Sequence, residues 1–218
     1  MLKQYDLIVW DWDGTIADST GMITNAILKA ADDVGLPALS PQVASSIIGL
    51  GLRESIRTLY GGIPEHQAQA LAKQYNANYY AGEQNVLLFS GAAETIAALS
   101  RQGIKLAVAT GKSRRGLNFA LDHTGLGEFF DATRTVDECF SKPHPQMLQE
   151  LMDDLFVSPE RTLMIGDTSY DLQMAKNAGV SAVGVSYGAH SAEHWQHLQP
   201  VQQFDDFSSL AQWLLASA

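Results

Sequence analysis

A single cysteine, Cys139, excludes an intramolecular disulfide, and no cluster of Cys or His beside it suggests a zinc site. A reducing cytoplasm suits such a chain. No apolar run approaches the roughly 18 residues that span a bilayer, and the start, MLKQYDLIVWDWDG, passes from a short polar lead straight into a strand-like run. Neither a signal peptide nor a membrane anchor is expected. Basic residues are also scarce, with 14 Lys and Arg against 24 Asp and Glu and a formal charge of -10. Nucleic acid and anionic membrane surfaces reward basic patches, so both are disfavoured as main partners. Internal repeats and low-complexity segments are missing as well. What remains is a chain of 218 residues, 46% hydrophobic, long enough for a full core plus a small accessory domain.

Residues 5–11 (YDLIVWD) form a continuous apolar run closing on a carboxylate, which suits a parallel strand buried on both faces. Residues 19–80 then read as wholly helical. Ile23, Ala26, Ile27, Ala30 and Val34 recur at helical spacing before Gly35, and Ser40-Pro41 is an N-cap followed by proline at the first helical position. A helix over 52–60 ends at Gly61-Gly62, and a longer one covers 64–81. Beyond Gly82, strands at 104–110, 132–136, 162–167 and 181–186 alternate with helices at 92–102, 114–124, 145–156 and 169–178. Glycines Gly103, Gly125 and Gly179 stop the helices. This alternation predicts an α/β fold, a doubly wound, Rossmann-like parallel sheet. The expected organisation is an α/β catalytic core from 1–17 and 83–218, with an inserted small α-helical cap at 18–82. Linkers are expected near 17–19 and 82–89, and the cap should cover the C-terminal edge of the sheet, where open α/β sheets bind ligands.

Four short motifs fall at or after strand ends: Asp11-Trp12-Asp13-Gly14-Thr15, Thr110-Gly111-Lys112, Lys142-Pro143 and Gly166-Asp167-Thr168-Ser169-Tyr170-Asp171. Lys142-Pro143 is placed by analogy, several residues past its strand. Phosphoryl transfer needs a nucleophile, neutralisation of the phosphoryl oxygens and a proton for the leaving group. Asp11 can attack phosphorus, and Asp13 can protonate the leaving oxygen and later deprotonate water. Thr110, with Gly111 after it, and Lys142 are the candidate phosphate-binding residues. Asp167 can complete an oxygen-rich Mg2+ site with Asp11 and a main-chain carbonyl. Asp11, Asp13, Asp167 and Asp171 set against Lys142 leave an excess of three negative charges if all are ionised. A divalent cation is therefore needed to admit a phosphate ester. Taken singly, each motif is ordinary turn or N-cap chemistry; their ordered combination is not.

DWDGT resembles the DxDGT signature of the haloacid dehalogenase-like hydrolases. The threonine, lysine-proline and GDTxxD elements match that family's other motifs in order, and the early helical insert is similar to the phosphoglycolate phosphatase-like branch. The resemblance implies Asp11 as nucleophile and Asp13 as general acid and base. It also implies Mg2+ held by Asp11, the Asp13 carbonyl, Asp167 and, directly or through water, Asp171, with a small phosphorylated metabolite as substrate. Trp12 is bulkier than the usual aliphatic residue there and reads as packing.

Arg53, in the glycine-rich turn GLGLRE, is a candidate for the non-phosphate end of the substrate, set against an ordinary surface arginine paired with an acid. His190, His194 and His197 fall at i, i+4 and i+7, a helix-face spacing that suits metal ligands, although a polar surface helix explains them equally. Tyr75, Tyr79 and Tyr80 read as cap packing, and Leu210, Trp213 and Leu214 as the inner face of a tail helix. Competing functions are a phosphosugar mutase resembling β-phosphoglucomutase, which shares every catalytic motif, and a non-enzymatic signalling or interaction protein. In receiver domains the accepting aspartate lies on a later strand. Asp13 argues against dehalogenases and phosphonate-cleaving relatives, which typically lack it. The physiological ester and the oligomeric state are not encoded in these motifs.

Overall fold

A computed structural model describes residues 4–217, so the lead of Met1 to Lys3 lies outside the described residues. In chain order the strands are β1 (Leu7–Trp10), β2 (Ala17–Asp18), β3 (Leu87–Leu88), β4 (Lys105–Ala109), β5 (Ala132–Arg134), β6 (Thr162–Gly166), β7 (Ser181–Val185) and β8 (Gln202–Phe204). The helices are α1 (Thr20–Asp33), α2 (Pro41–Ser45), α3 (Leu52–Tyr60), α4 (Glu65–Tyr80), α5 (Ala92–Arg101), α6 (Arg114–Thr124), α7 (Gln146–Leu155), α8 (Ser169–Ala178) and α9 (Phe207–Ser217). Six strands form one parallel sheet in the order β5-β4-β1-β6-β7-β8. The doubly wound α/β fold expected from the alternation is the one observed.

Strand periodicity builds both layers. Ile8, Trp10, Leu106, Val108, Leu163 and Ile165 pack on one face against α5, α6 and α9. Leu7, Val9, Ala107, Ala109 and Met164 pack on the other against α7 and α8. All four residues of β1 are therefore buried, as its uninterrupted apolar run requires. Truncating Trp10, which stacks on Phe207 at 6.3 Å, would cost about 3–5 kcal/mol. Trp12 is buried in the same layer, as its packing reading expects, and the tail helix α9 buries Leu210 and Leu214 there.

Helices α1 to α4 close around a separate apolar cluster of Ile27, Ala30, Ala44, Ile56, Tyr60 and Leu71. The Ser40 hydroxyl caps α2 by accepting from the Val43 amide at 3.2 Å, an interaction worth about 1 kcal/mol. Among the described residues no helix is long and apolar enough to cross a membrane.

Three local expectations change. The segments expected as linkers pair with each other, β2 antiparallel to β3, and the Phe89 amide donates to the Ile16 carbonyl at 3.0 Å. Two chain crossings lying side by side satisfy each other's backbone groups in this way. Strand β8 was not anticipated, because its sequence QQF has no apolar run. The histidine segment is not a helix. It forms two 3-10 turns, Ala192–His194 and Gln196–Leu198, and buries Trp195 against the backbone of Gly184. His190, His194 and His197 consequently share no helix face.

Candidate active site

Strands β1, β4 and β6 are adjacent in the sheet, so the residues following their C-terminal ends converge. Asp11 follows β1, Thr110 follows β4 and Asp167 follows β6. Asp11, Asp167 and Asp171 each place a carboxylate oxygen within 4.8 Å of the others, all buried. Asp167 accepts from the Thr15 hydroxyl at 3.1 Å and the Ala189 amide at 2.6 Å. Gly14 turns the chain at φ +83, and a Cβ there would lie 2.2 Å from the Asp167 carboxylate. The DGT sequence thus both bends the chain and lets it close over Asp167.

Asp171 closes a capping box at the start of α8. Its Oδ2 accepts from the Thr168 amide at 3.1 Å and the Thr168 hydroxyl at 2.6 Å. Its Oδ1 accepts from Lys142 Nζ at 2.6 Å, and the same ammonium reaches Asp11 Oδ1 at 2.7 Å. Lys142 is 1% exposed, so this is a buried two-acid clamp whose loss would strand charge in the interior. Asp11 Oδ2, also buried, has no hydrogen-bond partner. Burial pushes the Asp11 carboxyl up from its ordinary 3.8 to about 7, with Lys142 pulling it down and Asp171 adding to the rise. Burial, then the charges of Asp11 and Asp171, hold Asp167 well above its ordinary range too. A cluster of oxygen donors that must take up protons when left alone, with one oxygen unpartnered, fits a hard divalent cation.

Asp13 stands apart from this cluster. Its Oδ1 accepts from the Ser19 hydroxyl at 2.6 Å, and Lys112 Nζ spans both of its oxygens at 2.9 and 3.1 Å. The same ammonium donates to the hydroxyl of Tyr79 on α4 and lies 4.9 Å from the centre of that ring. Burial alone would lower the Lys112 ammonium, but Asp13 and then Tyr79 more than offset it and hold it charged. The charge excess inferred from Lys142 alone therefore falls from three negatives to two. Lys112 was legible as a lysine two residues past a strand-end threonine. Its pairing with Asp13 was not, because Tyr79 and Asp13 meet it only through the fold. Tyr79 stacks on Tyr75 at 5.8 Å and meets Tyr80 edge-on at 5.7 Å, and all three also line the cavity.

A cavity of about 500 Å³ lies between the sheet edge and the helical insert, lined by Asp11, Asp13, Thr110, Gly111, Lys112 and Arg53 among others. Arg53, at the start of α3, is exposed and forms no ion pair among the described residues, unlike the acid-paired surface arginine considered above. Thr110 is fully buried, and its Oγ1 accepts from the Lys112 amide at 3.2 Å. A Cβ on Gly111 would lie 2.7 Å from the carbonyl oxygens of both Gly49 and Leu50. Only glycine leaves room there for the loop between α2 and α3 to close onto the sheet. That loop is fastened further by Tyr170 and His190, which contact the Ser46 carbonyl at 3.1 and 3.0 Å, and by Ser141, which accepts from the Gly51 amide at 2.9 Å. His190 is thus a buried fastener between the two layers; burial keeps its imidazole below its ordinary range.

This fold and site define a class. The chain belongs to the haloacid dehalogenase-like hydrolase family, whose model matches residues 8–185. Within that family it is a phosphatase. It is 33% identical over 211 residues to the probable phosphatase IndB of Dickeya dadantii, covering 94% of this chain and 91% of the relative. It is 30% identical over 203 residues to the pyrophosphatase PpaX of Halalkalibacterium halodurans, covering 93% and 90%. A crystal structure of a predicted phosphoglycolate phosphatase from Haemophilus somnus 129PT superposes with a TM-score of 0.83 at 26% identity, covering 97% of this chain and 99% of that one.

Proposed function

We propose that the protein is a Mg2+-dependent phosphatase that hydrolyses a small phosphate ester or anhydride through a phospho-aspartate at Asp11. The observation that carries this reading is the buried Asp11, Asp167 and Asp171 cluster with Asp11 Oδ2 unpartnered, two residues from a second aspartate that faces the cavity. Asp11, the Asp13 carbonyl and Asp167 would hold the cation, with Asp171 acting through Lys142 and water because both its oxygens already accept hydrogen bonds. When bound, Mg2+ neutralises the phosphoryl oxygens and keeps Asp11 ionised.

In the first step an Asp11 carboxylate oxygen attacks phosphorus, the bond from phosphorus to the bridging oxygen breaks, and Asp13 gives that oxygen its proton. Thr110 and the Gly111 backbone bear on the phosphoryl oxygens, and Lys142 steadies Asp11. In the second step Asp13 takes a proton from water as the water oxygen attacks phosphorus. The acyl phosphate then splits to inorganic phosphate and the Asp11 carboxylate. Free phosphate, not an isomerised ester, is the expected product. The pyrophosphatase and phosphoglycolate phosphatase relatives support a small phosphorylated metabolite as substrate.

The test is trapping. Acid quench of the Mg2+-loaded protein with radiolabelled substrate should leave label on Asp11, chelator should abolish turnover, and Asp11→Asn should lower kcat by at least about 1,000-fold. Full turnover in chelator, or label elsewhere, overturns the mechanism.

A further inference from the structure

We propose that Tyr79, on the helical insert, is a positioning residue for the acid and base: through Lys112 it fixes the Asp13 carboxyl against the leaving oxygen, so that proton transfer depends on a contact between the two layers. This rests on the phosphatase reading above. Lys112 Nζ is 2.9 Å from Asp13 Oδ1 and 3.1 Å from Oδ2, and it also donates to the Tyr79 hydroxyl. An ammonium carries three donors, so these contacts leave Lys112 nothing to offer a substrate. Its place in the cavity wall is explained by what it holds. Of the Asp13 oxygens, Oδ1 accepts from both Ser19 and Lys112, whereas Oδ2 accepts from Lys112 alone among the described residues. Oδ2 is therefore the oxygen with room for the travelling proton.

A lysine does not aim itself. Its stem is flexible and its ammonium is a compact charge without a preferred direction, so paired with Asp13 alone it would follow that carboxyl through its rotations. Tyr79 supplies the fixed point. It is buried on α4, stacked on Tyr75 at 5.8 Å and edge-on to Tyr80 at 5.7 Å, and Lys112 Nζ lies 4.9 Å from the centre of its ring. The end of α4 that carries it is pinned in turn to α6. There the Arg115 guanidinium lies 3.6 Å from the centre of the Tyr80 ring, and one of its nitrogens is 3.6 Å from the Glu83 carboxylate just past the helix. The side chains of Lys112 and Asp13 are only 7% and 11% exposed, so water competes little for the bonds between them. A misplacement of about 1 Å can slow a step about 100-fold, and the Tyr79 hydroxyl is the anchor that keeps Lys112, and with it Asp13, from such a drift.

Tyr79→Phe is the test, because it keeps the ring and its stacking and deletes only the hydroxyl. Since kcat/KM ends at phosphoenzyme formation, it reads the step in which Asp13 gives up its proton. With Mg2+ present, kcat/KM should fall about 30-fold for ethyl phosphate but only about threefold or less for p-nitrophenyl phosphate, whose leaving group needs little protonation. The inhibition constant of methylphosphonate and the Mg2+ dissociation constant should stay within about twofold of wild type, whereas a general loosening of the site would move both. Lys112→Met should show at least the same loss on ethyl phosphate, and adding Tyr79→Phe to it should lower kcat/KM by no more than about twofold further, because one residue acts through the other. If circular dichroism shows that Lys112→Met does not fold, the split between the two esters in Tyr79→Phe decides. Equal loss on both esters, no loss on either, or losses that multiply in the double variant would each overturn the proposal while leaving the phosphatase reading intact. Absence of hydrolysis of any phosphate ester or anhydride by the wild-type protein overturns both.

Discussion

The sheet edge and the helical insert line one cavity with different chemistry. From the sheet come Asp11, Asp13, Thr110 and Lys112, with Asp167, Asp171 and Lys142 directly behind, all buried or nearly so, Asp13 paired with Lys112 and Lys142 bridging Asp11 and Asp171. From the insert come isoleucines, three tyrosines and the exposed Arg53. A residue just past a parallel strand is held by ladder hydrogen bonds on both sides, which suits groups that must stay within tenths of an ångström. The insert meets the sheet layer through the loop between α2 and α3, through side-chain hydrogen bonds such as that of Lys112 to Tyr79, and through the Arg115 guanidinium 3.6 Å from the centre of the Tyr80 ring. Under the proposed function the chemistry falls to the sheet layer and recognition to the insert, with Lys112 as the sheet residue that reaches across to Tyr79.

The comparison can be broken most sharply at Asp13. Removing its carboxyl should cripple the sheet's chemistry while leaving the insert intact, so Asp13→Ala should lower kcat for an alkyl phosphate by about 1,000-fold. p-Nitrophenyl phosphate needs less protonation, so its first step should suffer less and show a burst of about one product per site before slow turnover. Equal loss on both substrates without a burst would reduce Asp13 to a turn residue.

A smaller effect belongs to the insert. Arg53→Ala should raise KM for an anionic phosphate ester about tenfold and leave kcat nearly as it was, since an exposed cation contributes binding more than transition-state stabilisation. The effect should shrink at high salt. An equal change in KM for p-nitrophenyl phosphate would return Arg53 to the ordinary surface.

The smallest effect is on stability. In the absence of metal the folded Asp11 carboxyl rises from 3.8 to about 7, so the folded state holds a proton that the unfolded chain releases. Stability from this group is therefore lost as pH rises from about 4 to about 7. Mg2+ removes the penalty, and protons compete with it below about pH 7. At a fixed concentration tenfold above its dissociation constant at pH 8, Mg2+ should raise Tm by about 4 °C at pH 8 and hardly at all at pH 5. A shift of the same size at both values would place the cation away from Asp11.

Much of this was legible from residue patterns because buried parallel strands are written as apolar runs and helices as spaced ones. Strand β1, the stop glycines, the Ser40 cap and the packing role of Trp12 follow from local rules. Strand β8 was missed because an edge strand with sequence QQF is stabilised by its neighbour β7 and not by its own composition. The ribbon of β2 and β3 was missed for a related reason, since 69 residues separate Asp18 from Leu87 and only the closed fold pairs them. The histidine spacing misled because burying Trp195 outweighed the polar helix pattern around it.

The sequence by itself determined the fold class and the residue types of the candidate chemistry, since apolar periodicity and strand-end motifs are local properties of the chain. Only the tertiary structure decided which charges meet. Lys142 between Asp11 and Asp171, and Lys112 between Asp13 and Tyr79, join residues from 29 to 131 positions apart. Electrostatic energy depends on distance and burial in space, and neither quantity is carried by any short stretch of sequence.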